Sequence, residues 1–366
     1  MRTATVIGAG VFGSWTAWAL QNRGWKVSLL DAHGPANARA SSGGETRITR
    51  SGYGGVSVYA RWARESLSDW LTLELRSGET LFERTGALFV GGDRLWLEQT
   101  ATTLRAERIP VEWLDAEMIR RRYPALDFAD STAAVLEPDA GVLYARRGVQ
   151  ALVRTLVRDG VAYVQRTVQA ERELRESTAD AVVFACGPWL PAVLPNVLGE
   201  AIAPTRQEVF FFGAPAGDDR FTPSRLPAWV AFDEGIYGLP DLEHRGVKIA
   251  IDAHGAPADP EHMDRLVGPE SLERMREVLR RRIPALADAP LLESRVCQYE
   301  NTADGHLLLD RLPGHDRAWI AGGGSGHGFK HGPAVGRYMA DVIEERRAPD
   351  PMFALAGRPP RQRAVY

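Results

Sequence analysis

Three glycines and one acid near the N-terminus have the spacing of a dinucleotide site. Gly8, Gly10 and Gly13 lie in "VIGAGVFG", between a short β-branched stretch and a stretch with helical spacing. In such a unit the glycines allow a tight turn, a pyrophosphate at the helix N-terminus and close packing of helix on strand. Asp31 ends the next apolar stretch, where a carboxylate can accept hydrogen bonds from an adenosine ribose. These residues predict dinucleotide binding without distinguishing NAD from FAD.

The stretch after Asp31, "AHGPANARASSGGETRITRSGYGG", separates the two cofactors. It is small, polar and rich in glycine, and it carries Arg47 and Arg50. A nicotinamide enzyme normally enters another crossover helix at this point, whereas a loop can wrap the larger ring system of FAD. The alternative is an ordinary surface loop.

Two later stretches predict further strands of the same parallel sheet. "DAVVFACGPWLPAVL" and "DRAWIAGGGSGHGFKHGPAVGRYMADVI" each have an apolar strand, a glycine turn and a helix. Between the predicted strands, "EVFFFGA", "WVAFDEGIYGLP" and "GVKIAIDAHG" alternate as antiparallel strands do, and "PESLERMREVLRRRIPAL" has the pattern of an amphipathic helix. The fold class expected is α/β plus antiparallel β.

We therefore expect two domains that are discontinuous in sequence. A Rossmann-type FAD-binding domain comprises residues 1–83, 139–200 and 299–366. An antiparallel-sheet substrate domain comprises residues 84–138 and 201–298. A length of 366 residues suits this number of domains.

Composition excludes several classes of partner. Forty-four basic and 47 acidic residues give a formal charge of -3 without long runs of either sign, which argues against nucleic acid. Cys186 and Cys297 lie outside any metal-ligand spacing, so we expect no metal, no disulfide framework and a reducing compartment. No uninterrupted apolar run reaches the roughly 18 residues that a membrane span needs. The expected location is the cytoplasm.

Three motifs resemble a known family. "GGETRITR", "CQYENTADGHLLLDRLPGH" and "GGGSGHGFKHGPAVG" are similar to those of the monomeric sarcosine oxidase and N-methyltryptophan oxidase group of FAD-dependent amine oxidases, over nearly the whole chain. The resemblance implies a monomer that uses FAD and oxygen to oxidise a secondary or cyclic amino acid. Hydride would pass to flavin N5, the imine would hydrolyse, and oxygen would yield hydrogen peroxide.

The same resemblance assigns residues to the cofactor. Cys297 would hold the flavin covalently through its 8α-methyl group, whereas from the sequence alone it is expected to be a buried inert thiol. Cys186 is expected, apart from the resemblance, to be a packed small residue. Arg47 would pack against the flavin ring and stabilise its reduced form. Further cofactor contacts would come from Ser42, Thr46, Gly326, His327, Gly328 and Lys330.

Other residues are assigned to substrate and oxygen. Lys330 and Arg50 would bind the substrate carboxylate, the arginine as a planar fork and the lysine as a point charge. Lys248 lies on a predicted strand, where an inward-facing cation would stabilise superoxide. Tyr237 and Tyr299 would border the amine.

Two positions depart from the family. Asp252 stands where the sarcosine oxidases have an active-site histidine, and His254 is expected two positions later on the same strand face. A carboxylate there can pair with a cationic amine or with a polar side chain of the substrate. Ser51 also replaces a histidine that commonly follows the second arginine, so sarcosine itself is not the expected substrate.

Two other functions compete with the oxidase. A flavin dehydrogenase would pass electrons to a protein partner, and Lys248 argues against it. A non-catalytic flavin-binding protein would keep the glycine turn but would have no use for Arg50, Lys248 and Lys330 together.

Overall fold

The computed structural model describes residues 1–91, 93–130 and 133–358, which contain three β-sheets. The strands are β1 (Thr3–Ile7), β2 (Lys26–Asp31), β3 (Thr46–Thr49), β4 (Phe82–Glu83), β5 (Ala87–Val90), β6 (Glu112–Asp115), β7 (Ala133–Glu137), β8 (Gly141–Tyr144), β9 (Ala162–Gln165), β10 (Ala181–Phe184), β11 (Ile202–Phe212), β12 (Ala228–Ala231), β13 (Ile236–Leu239), β14 (Val247–Ile251), β15 (Leu291–Thr302), β16 (Leu308–Arg311) and β17 (Ala318–Gly322).

Helices connect and cover these strands. The α-helices are α1 (Val11–Asn22), α2 (Ser57–Ser77), α3 (Arg94–Ala106), α4 (Ala116–Arg122), α5 (Ala145–Arg158), α6 (Ala170–Glu176), α7 (Leu190–Val193), α8 (Pro195–Leu198), α9 (Pro269–Arg282) and α10 (Gly332–Ile343). Single turns of 3-10 helix lie at Ser41–Gly43, Gly187–Trp189, Asp219–Phe221, Pro284–Leu286, Phe329–His331 and Pro351–Phe353.

The first sheet has the strand order β16-β17-β10-β1-β2-β9. All neighbours are parallel except β16, which pairs antiparallel with β17 at one edge. Every residue of β10 is buried, because a parallel sheet is covered on both faces. The prediction that three separated segments supply β1, β10 and β17 to one parallel sheet is confirmed.

The second sheet has the order β15-β11-β14-β13-β12-β5-β7-β6. The expectation of a purely antiparallel sheet is wrong at one place, since β5 and β12 pair in parallel. These two strands come from segments far apart in sequence, so their connection is long enough for a parallel pair. The amphipathic helix expected after the strands is α9, which buries Met275, Val278 and Leu279.

The third sheet is small and has the order β3-β8-β4. Strand β3 falls in the stretch that we expected to be entirely loop. Its sequence, Thr-Arg-Ile-Thr, is rich in β-branched residues, and it pairs antiparallel with β8. The pairing fixes the backbone on both sides of Arg47.

The two-domain division stays a prediction. Strand β15 runs through the boundary expected at residues 298 and 299, so one strand passes from the second sheet toward the first. Within the described ranges, the helices include none that is both long and apolar enough to cross a membrane.

Candidate active site

The turn after β1 accepts only glycine at two of the three predicted positions. Gly8 has a φ of 108°, and a Cβ there would overlap the carbonyl oxygen of Ala185. A Cβ on Gly13 would overlap the carbonyl oxygen of Gly8, so close packing of α1 on β1 requires glycine. Gly10 is the N-cap of α1. Backbone amides therefore meet at the N-terminus of α1, where an anion is favoured.

A cavity of about 1150 Å³, here called the dinucleotide cavity, extends along this turn. Asp31 lies in its wall, and the carboxylate accepts hydrogen bonds from the amides of Ala9, His33 and Gly34 at 2.7, 2.8 and 2.8 Å. Ser42 also lines the cavity. The carboxylate is thus held in place beside the turn.

A second cavity of about 1070 Å³, here called the reaction cavity, shares Ala40 with the first. It brings together residues that were predicted from five separated stretches of the sequence. They are Thr46, Arg47, Arg50, Tyr237, Lys248, Asp252, Cys297, Tyr299, Gly326, His327 and Lys330. Gly328, also predicted to contact the cofactor, packs closely against Phe12. A Cβ at this position would stand 2.7 Å from the Phe12 ring, so glycine is needed here for packing.

Lys248 faces inward from β14. Its Nζ donates to the carbonyl oxygen of Thr46 at 3.0 Å and lies 3.4 Å from the Thr46 hydroxyl. The residue is only 3 % exposed. Burial, aided by the positive charge of Arg47, lowers the pKa of Lys248 to about 7. The ammonium is therefore poised to respond to any negative charge that develops in the cavity.

Arg47 is fixed by the backbone around it. Its guanidinium donates to the carbonyl oxygens of Thr46, at 2.7 Å, and of Ser41. The same group lies 5.9 Å from the centre of the Phe329 ring. Arg47 therefore presents a positive charge at a defined point of the cavity wall.

The two cysteines have different surroundings. Cys297 lines the reaction cavity, and its Sγ lies 3.9 Å from a guanidinium nitrogen of Arg47. Cys186 lies at the turn after β10, where burial raises its pKa to about 12. Cys186 packs against a buried apolar cluster that includes Phe184, which agrees with the expectation of a packed small residue.

Two cations lie close to one aromatic ring. The Arg50 guanidinium is 4.4 Å and the Lys330 Nζ is 5.0 Å from the centre of the Tyr53 ring. Lys330 also donates to the carbonyl oxygen of His327 at 2.8 Å. Burial and the charge of Arg50 lower the pKa of Lys330 well below its ordinary value. A bound anion would relieve this repulsion.

Tyr53 belongs to a buried network that the sequence analysis missed. Its hydroxyl lies 3.1 Å from Nδ1 of His327 and 2.9 Å from Nε2 of His331. Because Nε2 of His327 lies 3.0 Å from the carbonyl oxygen of Gly305, that nitrogen carries the proton. Tyr53 therefore donates to His327 and accepts from His331. No motif marks this network, since its members meet only in three dimensions.

Glu137 was also missed. From the end of β7 its carboxyl group accepts hydrogen bonds from the amides of Ser51, at 2.9 and 2.8 Å, and of Gly52, at 2.6 Å. Burial raises its pKa to about 7. Glu137 thereby holds the backbone that follows Arg50. The two segments are more than 80 residues apart, so sequence patterns carried no signal.

Asp252 and His254 are placed differently from the expectation. Strand β14 ends at Ile251, so the prediction that the two share a strand face is wrong. The Asp252 carboxylate lines the reaction cavity and accepts a hydrogen bond from the Tyr299 hydroxyl at 2.6 Å. His254 is exposed. Burial raises the pKa of Asp252, and the Tyr299 hydrogen bond opposes this shift.

The family described as DAO, FAD dependent oxidoreductase, matches residues 3–342. The chain belongs to this family. The resemblance inferred from its motifs is therefore confirmed, as are FAD dependence and an oxidoreductase function. The arrangement of a parallel sheet beside a largely antiparallel one agrees with that assignment.

Relatives with known activities cover most of the chain. A monomeric sarcosine oxidase of Streptomyces avermitilis is 32% identical over 355 residues, which are 92% of this chain and 92% of that protein. A monomeric sarcosine oxidase of Bacillus sp. is 30% identical over 92% of this chain and 90% of its own. The crystal structure of L-proline dehydrogenase from P. horikoshii has the same fold, with a TM-score of 0.83 at 20% identity, covering 97% and 96% of the two chains.

The two cavities fit the FAD of this family. Because a Cβ at Gly8 would overlap the carbonyl oxygen of Ala185, only glycine keeps this turn tight beside the N-terminus of α1, where a pyrophosphate would be favoured. Asp31 provides an acceptor at the wall of the same cavity. Ala40 borders both cavities, so a long ligand can extend from one into the other. The residues that would hold the ring system are Thr46, Arg47 and Cys297.

Proposed function

We propose that this family member oxidises the C–N bond of a secondary or cyclic amino acid and reduces oxygen to hydrogen peroxide. The observation that carries the proposal is the pair of buried cations, Arg50 and Lys330, in one cavity with Asp252. An amino acid fits this arrangement, because its carboxylate can bind the two cations while its amine or another donor binds Asp252.

Arg50 and Lys330 bind the substrate carboxylate in this proposal. Both are buried, at 6 % and 3 % exposure, and both lie against Tyr53. An anion between them compensates their mutual repulsion, so substrate binding raises the pKa of Lys330 and favours its charged form. An amine without a carboxylate leaves that repulsion in place and binds poorly.

Asp252 selects the rest of the substrate. Its carboxylate is oriented by Tyr299, and Tyr237 lines the same wall. Asp252 stands where the sarcosine oxidases have a histidine. Its carboxylate favours a substrate that carries a hydrogen-bond donor on its own ring or side chain. This argues for a substrate larger than sarcosine.

FAD, when bound, supplies the acceptor for the two electrons that leave the substrate C–N bond. We propose that Cys297 holds it covalently, because the thiol faces the cavity beside the Arg47 cation. Lys248 provides the positive charge that stabilises reduced oxygen, and Thr46 orients its Nζ. The chain would act as a monomer on a small-molecule substrate.

The test is a substrate screen with the purified yellow protein. N-methyl and cyclic amino acids are added without oxygen, bleaching of the flavin is followed, and peroxide is measured after air is admitted. Bleaching with peroxide supports the oxidase, bleaching without peroxide indicates a dehydrogenase, and no bleaching indicates a binding protein.

Asp252→Asn in the same screen tests the substrate class. The variant should lose its preference for substrates with an extra donor by several-fold, since the acceptor charge is removed while the shape is kept. Sarcosine as the best substrate of the wild type, or an unchanged ranking in the variant, would overturn this part of the proposal.

A further inference from the structure

Strand β15 serves both cavities. Alternate side chains of a strand point to opposite faces, so Cys297 and Tyr299 share one face while Gln298 and Glu300 share the other. Cys297 and Tyr299 line the reaction cavity, and Glu300 lines the dinucleotide cavity. Glu300 thus lies on the face of β15 that borders the dinucleotide cavity.

The Glu300 carboxyl group is half satisfied. It lies beside the glycine turn after β17, where the amides of Gly323 and Gly324 oppose the rise in its pKa that burial causes. Its Oε2 is buried and has no hydrogen-bond partner among residues 1–91, 93–130 and 133–358. The residue is buried, with 8 % of its surface exposed. A buried carboxyl oxygen without a partner is costly unless a ligand provides one.

We propose that Glu300 binds FAD by accepting a hydrogen bond from a hydroxyl of its ribityl chain. The ribityl chain joins the ring system to the pyrophosphate, and Glu300 lies between their two sites: three residues from Cys297 on β15, and in the cavity that contains Gly8 and Asp31. A strand rises about 3.3 Å per residue, so this separation is about 10 Å along β15.

A hydroxyl suits this carboxyl group better than a phosphate does. Burial raises the pKa of Glu300 to about 7 and the two glycine amides oppose this shift, so the ionised form is accessible near neutral pH. In that form the carboxylate accepts from a hydroxyl but repels a phosphate oxygen. Asp31 and Glu300 both border this region: after burial, their negative charges are the next causes that raise the pKa of Cys186 beside them. The inference depends on FAD binding, which family membership establishes, and is independent of the amine substrate.

Glu137 provides a matched control. It is also a buried glutamate whose pKa burial raises to about 7, as for Glu300. Its two carboxyl oxygens both accept from backbone amides, and it lies outside the lining of the dinucleotide cavity defined by the described residues. A change there perturbs a buried acid without touching the cofactor.

The experiment compares Glu300→Gln with Glu137→Gln, both with Cys297→Ser so that only noncovalent contacts hold the cofactor. FAD affinity is measured by fluorescence titration of the apoprotein. Glu300→Gln should weaken FAD binding about tenfold, the difference between a charge-assisted and a neutral hydrogen bond, and Glu137→Gln should leave it within about twofold. If apoprotein of one variant does not fold, the temperature at which the loaded protein releases FAD gives the same comparison.

FAD analogues lacking the 2′-, 3′- or 4′-hydroxyl of the ribityl chain identify the partner. With one of these analogues, the Cys297→Ser protein that keeps Glu300 should lose about as much affinity as the Glu300→Gln variant loses with FAD. The variant should lose no further affinity with that analogue, so the two losses should not add. Three deoxy analogues that all show additive losses would indicate a phosphate contact and overturn the proposal. Unchanged FAD affinity in Glu300→Gln, with only a lower Tm, would indicate a structural acid or a buried water and overturn it as well.

Discussion

The dinucleotide cavity and the reaction cavity meet at Ala40 but are built in different ways. The first uses backbone amides and one carboxylate from residues 8–31, close together in the chain. The second uses charged side chains from residues 46–50, 248–252 and 297–330, which only the fold brings together. The contrast teaches that binding the common part of the cofactor needs a local motif, whereas reactivity needs charges placed from several segments.

The electrostatics of the two regions also differ. Burial depresses the pKa of Lys248 and of Lys330 in the reaction cavity, and the charge of Arg47 adds to the shift of Lys248 and that of Arg50 to the shift of Lys330. At the dinucleotide turn, the charge of Asp31 is satisfied by three amides. We therefore expect substitutions in the reaction cavity to change rates and substrate binding, and substitutions in the dinucleotide cavity to change cofactor retention.

Cys297→Ser should have the largest effect, because a covalent bond is present or absent. After acid denaturation, the wild-type pellet should stay yellow, and the variant should release all of its flavin into the supernatant. Cys186→Ser is the control, since that thiol is buried with a raised pKa and should leave the bond intact. Free FAD in the wild-type supernatant would show that the reaction cavity holds its cofactor by noncovalent contacts alone.

Lys248→Met should slow reoxidation by oxygen at least about a hundredfold, the size of effect seen when a preorganised electrostatic group is removed. Reduction by substrate should change little. Stopped-flow measurement separates the two half-reactions, and the exposed Lys26→Met serves as control. Equal slowing of both would mean that Lys248 acts in structure or substrate binding.

The same lysine predicts a pH dependence. An ammonium is present below its pKa, and the pKa of Lys248 is lowered to about 7, so reoxidation should slow as pH rises through and above 7. Lys248→Met should lack this dependence. A pH profile that persists in the variant would assign the titration to another group.

Lys330→Met should weaken binding of the amino-acid substrate about ten- to a hundredfold, because a charge-assisted contact to the carboxylate is lost. Anaerobic titration of the flavin spectrum measures this affinity. The corresponding amine without the carboxylate is the control and should bind equally to both proteins. A similar loss for both ligands would mean that Lys330 supports the cavity and does not bind the carboxylate.

Asp31→Asn should have the smallest effect, a loss of FAD affinity of about tenfold, as a charged acceptor for the ribose becomes neutral. It is measured in the Cys297→Ser protein by fluorescence titration. The rate of reduction by substrate in the fully loaded variant should stay at the wild-type value. A large fall in that rate would remove the functional distinction between the cavities.

Family membership and the parallel sheet could be predicted because their signals are local or linear. The glycine turn, Asp31 and the strands around them lie within one strand–turn–helix–strand unit, in which spacing largely determines position. The parallel pair β5–β12 and strand β3 could not be predicted with the same success. Their pairing depends on partners far along the chain, and isolated short strands carry weak preferences.

The sequence by itself determined which residue types were available: a glycine turn with an acid, two arginines three apart, and a cysteine and a lysine in specific motifs. Only the tertiary structure decided how they face one another. Strand β14 stops where β13 begins at Ile236, and this leaves Asp252 in the cavity and His254 outside it. Because side chains alternate along β15, Cys297 and Glu300 lie on opposite faces and line different cavities. The sequence determines this alternation, but only the packing of other elements on each face creates the two cavities.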